Sequence, residues 1–288
     1  MNEELINKAK ECGINLDTLI QREIEISKRV NIFEEKVKKE HIVNIVQHKK
    51  FLELYLNSHS LGIDIYDYLF SSIINKNILI KDSPINRLYK RIIEFSNTNA
   101  EKLGYIKYDK SQNKYIPDPG KLEGDIYEIF KEIFLKSFET HPLMPVCKYI
   151  PNNEDDYGVD GLGLSKHDMK LTAIQIKFRN PHNKDYEYLT EEDIRQFALQ
   201  AILRYETNVN LYNGIRLDSI LLITNSKGMH YTTEKEMYLN SISTLDNKIL
   251  EQICNDGGFA FWEKLSHMIK ITLEHELNIT KVINTIKN

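Results

Sequence analysis

Asp156-Tyr157-Gly158-Val159-Asp160-Gly161, followed nine residues later by Leu171-Thr172-Ala173-Ile174-Gln175-Ile176-Lys177-Phe178, is the stretch on which the fold reading turns. The first segment reads as a turn that presents a carboxylate, with Gly158 giving the backbone freedom for a sharp approach. The second reads as a strand. Side chains alternate across a strand, so Gln175 and Lys177 are expected on one face and Ile174 and Ile176 on the other. A carboxylate, an amide oxygen and a lysine brought to one point can hold a divalent metal and a water beside a phosphodiester.

The flanking sequence supplies a consistent frame. Pro117-Asp118-Pro119-Gly120 breaks regular structure and marks a domain boundary. From Lys121 the chain reads as a helix to about Phe138, with Ile126, Ile129, Phe130 and Ile133 as its core face. A loop with Pro142 and Pro145 leads to a strand at Val146 to Ile150. After the Asp156 to Asp160 turn come a strand and hairpin in Leu162 to Met169, and then Leu171 to Arg179. Thr190-Glu191-Glu192-Asp193 resembles a capping box with aspartate in the fourth place, and opens a helix through Ile194, Phe197, Ala198, Ala201 and Ile202. Ser219 to Thr224 is a continuous apolar run, as expected of a buried central strand. The order helix, three strands, helix, strand suits an α/β fold with a mixed sheet flanked by helices.

At these residues the chain resembles the PD-(D/E)XK nuclease superfamily, in its Mrr-like restriction endonuclease branch. That branch carries D-x-G-x-D, a linker of roughly fifteen residues, and Q-x-K. Here fourteen residues separate Asp160 from Gln175-Ile176-Lys177, and Gly124-Asp125-Ile126-Tyr127-Glu128 stands where the branch places G-x-x-[F/Y]-E. The resemblance covers about residues 120 to 255. It implies a restriction-endonuclease-like mixed sheet flanked by helices, with C-terminal helices, at residues 120–288, and the spacing upstream reads as a mainly helical domain at 1–119. It also implies Mg²⁺-dependent hydrolysis of DNA, with Mn²⁺ able to substitute, in restriction or genome defence.

Each site residue has its own reading. Asp160 is the first metal ligand. Gln175 can coordinate a hard cation through its oxygen but adds no charge. Lys177, flanked by Ile176 and Phe178, is partly desolvated and would orient or deprotonate the attacking water, or meet charge building on the phosphate. By the resemblance Glu128 is a third carboxylate at the edge of the site. The expected catalytic set is Asp160, Gln175, Lys177 and Glu128, and the expected metal set Asp160, Gln175, Ile176 and Glu128. Asp156 shapes the turn. The plainer readings of the same residues are a turn aspartate, a polar edge-strand residue, an edge-protecting lysine and a surface glutamate.

Charge places the DNA contacts elsewhere. The net charge is −4, but Lys76 to Lys114 holds nine lysines and arginines against four acidic residues. Phosphate contacts are local, so distribution matters more than the sum. Ser83 caps a helix with Pro84 at its first position, running through Arg87, Tyr89, Arg91 and Ile92. Leu103 to Tyr108 and Lys114 to Ile116 then form a hairpin. A basic helix followed by a hairpin is the order of winged-helix DNA readers and of many other α+β modules, which places a possible DNA-recognition part at 60–116. Lys90, Arg91, Lys107 and Arg179 are the expected DNA contacts, and Lys184 and Arg195 could also reach phosphates. Upstream, residues 1 to 57 read as helices. Ile26, Val30, Phe33 and Val37 follow a 4-3-4 spacing that is too short for a coiled coil.

Composition excludes other classes. Hydrophobic residues make up 41% and charged residues 28%, as in a folded soluble chain. The three cysteines stand far apart without zinc spacing, which points to a reducing, cytoplasmic compartment. No signal peptide or membrane span is read. No Walker A, GxSxG, HExxH or dinucleotide fingerprint occurs. Cutting both strands of duplex DNA needs two sites, so a homodimer is expected. Two alternatives stand beside the DNA endonuclease: a catalytically silent DNA-binding or assembly module of the same fold, and an RNA-cleaving nuclease.

Overall fold

The structure is a computed structural model that describes residues 49–74, 83–151, 158–167, 169–180, 187–206, 217–229, 242–258 and 260–267. The spacing at Ile26 to Val37, Asp156 and Lys184 lie outside the described residues. Helices α1 (Lys49–Ser60), α2 (Ile65–Ile74) and α3 (Pro84–Asn99) precede a hairpin of β1 (Ile106–Asp109) and β2 (Lys114–Pro117). Ser83 sits at the N-cap of α3 with Pro84 just inside, though the Ser83 side chain makes no capping bond. Pro84 fits because its fixed φ suits the first turn and its missing N–H would have no helical partner there.

Helix α4 (Pro119–Ser137) starts within the predicted break and ends one residue short of Phe138. A five-stranded sheet comes next in the order β3 (Val146–Pro151), β4 (Gly161–Ser165), β5 (Leu171–Lys177), β6 (Leu217–Thr224) and β7 (Ile242–Leu245). Strands β3, β4 and β5 run antiparallel, whereas β5, β6 and β7 run parallel. Parallel neighbours need a long crossover. Between β5 and β6 it contains α5 (Glu191–Glu206), and α6 (Asn247–Asp256) comes after β7. The architecture is therefore mixed α/β, in the element order expected. Strand β7 is an addition that the sequence pattern did not mark.

Two apolar layers clamp the sheet. Ile174, Leu221 and Ile223 face α3, α4 and α6, while Ala173, Ile220 and Leu222 face α5 through Ile194, Phe197 and Ala201. Leu221, Leu222 and Ile223 are wholly buried, each contributing roughly 1.5–3 kcal/mol. Helix α4 is covered on both sides. Ile126, Phe130 and Ile133 are buried as expected, Ile129 is only partly so, and Tyr127, Lys131 and Phe134 are completely buried as well. Residues from α1, α2 and α3 share this layer with α4, so one apolar cluster runs across the Pro117–Gly120 break.

Candidate functional site

The turn before β4 is built as its glycine suggested. Gly158 adopts φ +81°, and a β-carbon there would collide with the Gln200 amide and sit 3.2 Å from Gln175 Nε2. Asp160 is buried at 7% exposure. Its N–H donates to the Ile174 carbonyl at 2.9 Å, and its Oδ2 accepts from the Ile176 N–H. Backbone and carboxylate are thus both fastened to β5, one on each side of Gln175.

On β5 the predicted alternation holds: Ile174 and Ile176 pack toward α4, and Ala173 toward α5. Gln175 and Lys177, at the same parity as Ala173, point to the α5 side. Gln175 Oε1 is buried and has no hydrogen-bond partner among the described residues. An amide oxygen left in that condition costs about 1–3 kcal/mol, so it is an acceptor waiting for a donor or a cation.

Lys177 does not stand alone. Its Nζ lies 2.5 Å from Asp193 Oδ1, and Arg179 donates to the other oxygen of the same carboxylate. Asp193 comes from the opening turn of α5, where the expected capping box is realised in both directions. Asp193 N–H donates to Thr190 Oγ1 at 3.1 Å, and Thr190 N–H to Asp193 Oδ2 at 3.2 Å. Burial alone would raise the Asp193 carboxyl, but hydrogen bonds from Arg179, Lys177 and Thr190 outweigh it and hold the group well below the usual carboxylate range. Asn225, just after β6, clasps the Arg179 backbone: its Oδ1 accepts from the Arg179 N–H and its Nδ2 donates to the Arg179 carbonyl, each at 2.6 Å.

From the opposite face α4 contributes acidity. Tyr149, buried, places its hydroxyl 3.3 Å from the Asp160 carbonyl and 3.5 Å from Glu132 Oε1. Burial, then the charges of Glu132, Asp160 and Glu128, push this hydroxyl well above its ordinary range. Glu128 is half-buried and Glu132 buried. Gly161 makes room for the ring, since a β-carbon there would lie 2.5 Å from Tyr149 Cε2 and 2.6 Å from the Ile150 carbonyl oxygen.

Asp160, Gln175, Ile176 and Lys177 are therefore brought together at the end of β5, with Glu128 behind the sheet near Tyr149. Among the described residues no three Asp, Glu, His or Cys side chains are gathered closely enough to hold a metal ion. The four residues expected to contact DNA are dispersed. Lys90 is exposed on α3. Arg91 pairs with Glu94 at 3.1 Å and lies 4.5 Å over the Tyr68 ring. Lys107 pairs with Asp118 at 3.4 Å, and Arg179 is held by Asp193. Arg195 pairs with Glu191. No described helix is long and apolar enough to cross a membrane.

Tyr149, Glu132 and Asn225 were not singled out by sequence, and Asp193 only as the last place of a capping box. Two of them carried a signal: Asp193 completes the capping box, and Glu132 lies one helical turn from Glu128. No protein-family model matches the chain, and no curated protein shows significant similarity to it.

Proposed function

We propose that this chain is a metal-dependent endonuclease that hydrolyses DNA phosphodiester bonds, with a restriction-endonuclease-like fold of the PD-(D/E)XK type and a role in genome defence. The observation that carries the reading is the junction of β4 and β5. There the Asp160 carboxylate is anchored at the Ile176 peptide, next to Gln175, whose buried oxygen has no hydrogen-bond partner among the described residues, and one residue before Lys177. The element order around it, a helix, three antiparallel strands, a helix and a parallel strand, supports the same reading.

The donor set fits a hard cation, because carboxylate and amide oxygens are what Mg²⁺ prefers. Asp160 and Gln175 would hold it, and Glu128 and Glu132 add negative potential from the α4 side. Mg²⁺, when bound, supplies charge neutralisation at the phosphate and a more acidic water. Lys177 brings positive charge to the scissile phosphate. Asp193 and Arg179 restrict the Lys177 side chain, so less orientational freedom is lost when substrate arrives. Tyr149 holds the Asp160 carbonyl and so keeps the turn on β5. Double-strand cleavage would use two copies of the chain.

The ion pair between Lys177 and Asp193 also favours a second reading, a catalytically silent DNA-binding module in which this lysine is structural. Supercoiled plasmid incubated with the protein and Mg²⁺ separates the two. The endonuclease reading expects nicked and linear products, and loss of at least about a hundredfold in rate for Lys177→Ala with duplex binding unchanged by anisotropy. Absence of cleavage across plain and methylated substrates, or full activity in Lys177→Ala, refutes it.

A further inference from the structure

A cleft of about 390 Å³ opens between α1, the base of the β1–β2 hairpin and α4. That volume lies in the range of small-molecule sites. Two hydrogen bonds frame it: the Tyr105 hydroxyl donates to Asp125 Oδ2 at 2.9 Å, and Asn57 Nδ2 donates to the Leu103 carbonyl at 3.3 Å. One wall is apolar, made by Leu54, Leu103 and Ile129. Leu54 and Ile129 also line a second hollow of about 30 Å³, whose lining, with Phe70 and Leu88 among it, is entirely apolar. A wall with open space behind it can yield to an apolar group, because the displaced side chains have room to move into.

Two charged residues of opposite sign, Lys121 and Asp125, line the same cleft. They stand four residues apart on α4, a spacing that makes side chains neighbours, with Cβ atoms about 5–6 Å apart. Among the described residues neither forms an ion pair, with the other or with any third group. Lys121 is exposed and Asp125 half-buried. Asp125 Oδ2 is taken by Tyr105, so Oδ1 remains as an acceptor beside the Lys121 ammonium, both next to the apolar wall.

The geometry points to a binding site for a free α-amino acid with a large apolar side chain. Its carboxylate meets Lys121, its ammonium meets Asp125, and its side chain lies on Leu54 and Ile129. An α-amino acid carries its two opposite charges on either side of one carbon, which matches a lysine and an aspartate one helical turn apart. A fatty acid or a mononucleotide would bring negative charge to Asp125 with no ammonium to meet it. Inside a polypeptide both charges are consumed by peptide bonds, which favours the free amino acid. The cleft is separate from the candidate active site: Asp125 precedes Glu132 by seven residues, about 10 Å along α4 at 1.5 Å per residue. The site does not depend on the endonuclease reading.

The test is isothermal titration calorimetry of the full chain with four probes: L-phenylalanine, L-serine, 3-phenylpropionate, which lacks the ammonium, and phenethylamine, which lacks the carboxylate. L-phenylalanine should bind at least about tenfold more tightly than L-serine, which has no apolar body, and than either truncated analogue. Lys121→Ala should weaken L-phenylalanine and 3-phenylpropionate about 5- to 20-fold and leave phenethylamine no weaker. Asp125→Asn keeps an acceptor for Tyr105, and should weaken L-phenylalanine and phenethylamine by a similar factor while leaving 3-phenylpropionate no weaker. Tyr105→Phe, which removes that hydroxyl and spares the carboxylate, should retain L-phenylalanine binding and so separates loss of the charge from loosening of the hairpin. No saturable binding of L-phenylalanine at millimolar concentration, equal affinity for all four probes, or a variant that weakens both analogues alike overturns the proposal. Neither nucleic acid nor metal enters the assay, so these outcomes leave the nuclease reading to its own plasmid test.

Discussion

Lys131→Met should stabilise the protein, by an amount set by pH. Lys131 lies on α4 with no exposure at all, and its Nζ has no hydrogen-bond partner among the described residues. The ammonium group is surrounded by rings, 4.7 Å from Phe130, 4.8 Å from Phe134, 5.1 Å from Tyr127 and 6.0 Å from Tyr89. Burial pushes its pKa from 10.5 down to about 7, against a smaller opposing effect of Cys254. Between those values the unfolded chain holds the proton and the folded chain does not, so stability rises with pH across the window and is lowest at and below pH 7. At about 1.4 kcal/mol per pH unit the full span is about 5 kcal/mol. Contacts with the rings return about 2 kcal/mol to the charged form. Methionine fills a similar volume without a charge, so the variant should gain about 3 kcal/mol at pH 7, shrinking towards zero near pH 10.5. Urea unfolding monitored by circular dichroism at unit steps from pH 7 to pH 10 measures the difference between the two proteins, which cancels groups titrating in both. A variant less stable at pH 7, or a gain independent of pH, would show that the ammonium is charged and satisfied where it lies, and would refute the reasoning.

Two further changes probe the site's scaffold. Asp193→Asn removes the carboxylate that serves Lys177, Arg179 and the α5 cap together, and should cost about 2–4 kcal/mol at pH 7. Because the folded pKa is depressed, that contribution is present above about pH 4 and fades as pH falls through the folded value. Thermal unfolding at pH 7 and pH 2.5 should therefore show the variant's deficit narrowing in acid. Gly161→Ala sets a methyl against the Tyr149 ring and the Ile150 carbonyl oxygen, and should cost about 1–3 kcal/mol in urea unfolding. An unchanged midpoint would mean that β3 and β4 move apart without loss.

The residues that were legible in the sequence are those governed by local rules. The alternation in Ala173 to Lys177, the helix start at Pro84 and the capping box at Thr190 each depend on neighbours in the chain, and each is present. Tyr149 was hidden for a physical reason. Strand β3 changes register between Cys147 and Ile150, with Lys148 at φ +52°. An irregularity of this kind reverses the parity of the residues beyond it. Tyr149 therefore joins the α4 layer with Val146, whereas Ile150 joins the α5 layer with Cys147. Asp193 was legible as a cap but not as a partner of Lys177, because that contact depends on the crossover returning α5 to the end of β5. Lys131 drew no reading from the sequence. Its position among Tyr127, Phe130 and Phe134 is a core position, and only its charge argued for the surface.

Helix α4 connects these features. One side sends Glu132 toward Tyr149 and the Asp160 turn, another packs Tyr127 against Phe178, the residue after Lys177, and Asp125 in its second turn ties down the base of the hairpin. The two faces of β5 differ in charge as a result. Glu128 and Glu132 lie on the α4 side, whereas Lys177 and Arg179 lie on the α5 side, sharing the single carboxylate of Asp193. Asp160 is fastened between them at the Ile176 peptide. In the proposed reaction such an arrangement would draw a cation to one side and a phosphate to the other. In the proposed reaction the separation matters more than any one contact, because the attacking water needs the acidic side and the developing phosphate charge needs the basic one. A carboxylate introduced in place of Gln175 would strengthen cation binding but bring negative charge nearer Lys177. The amide keeps the two sides distinct.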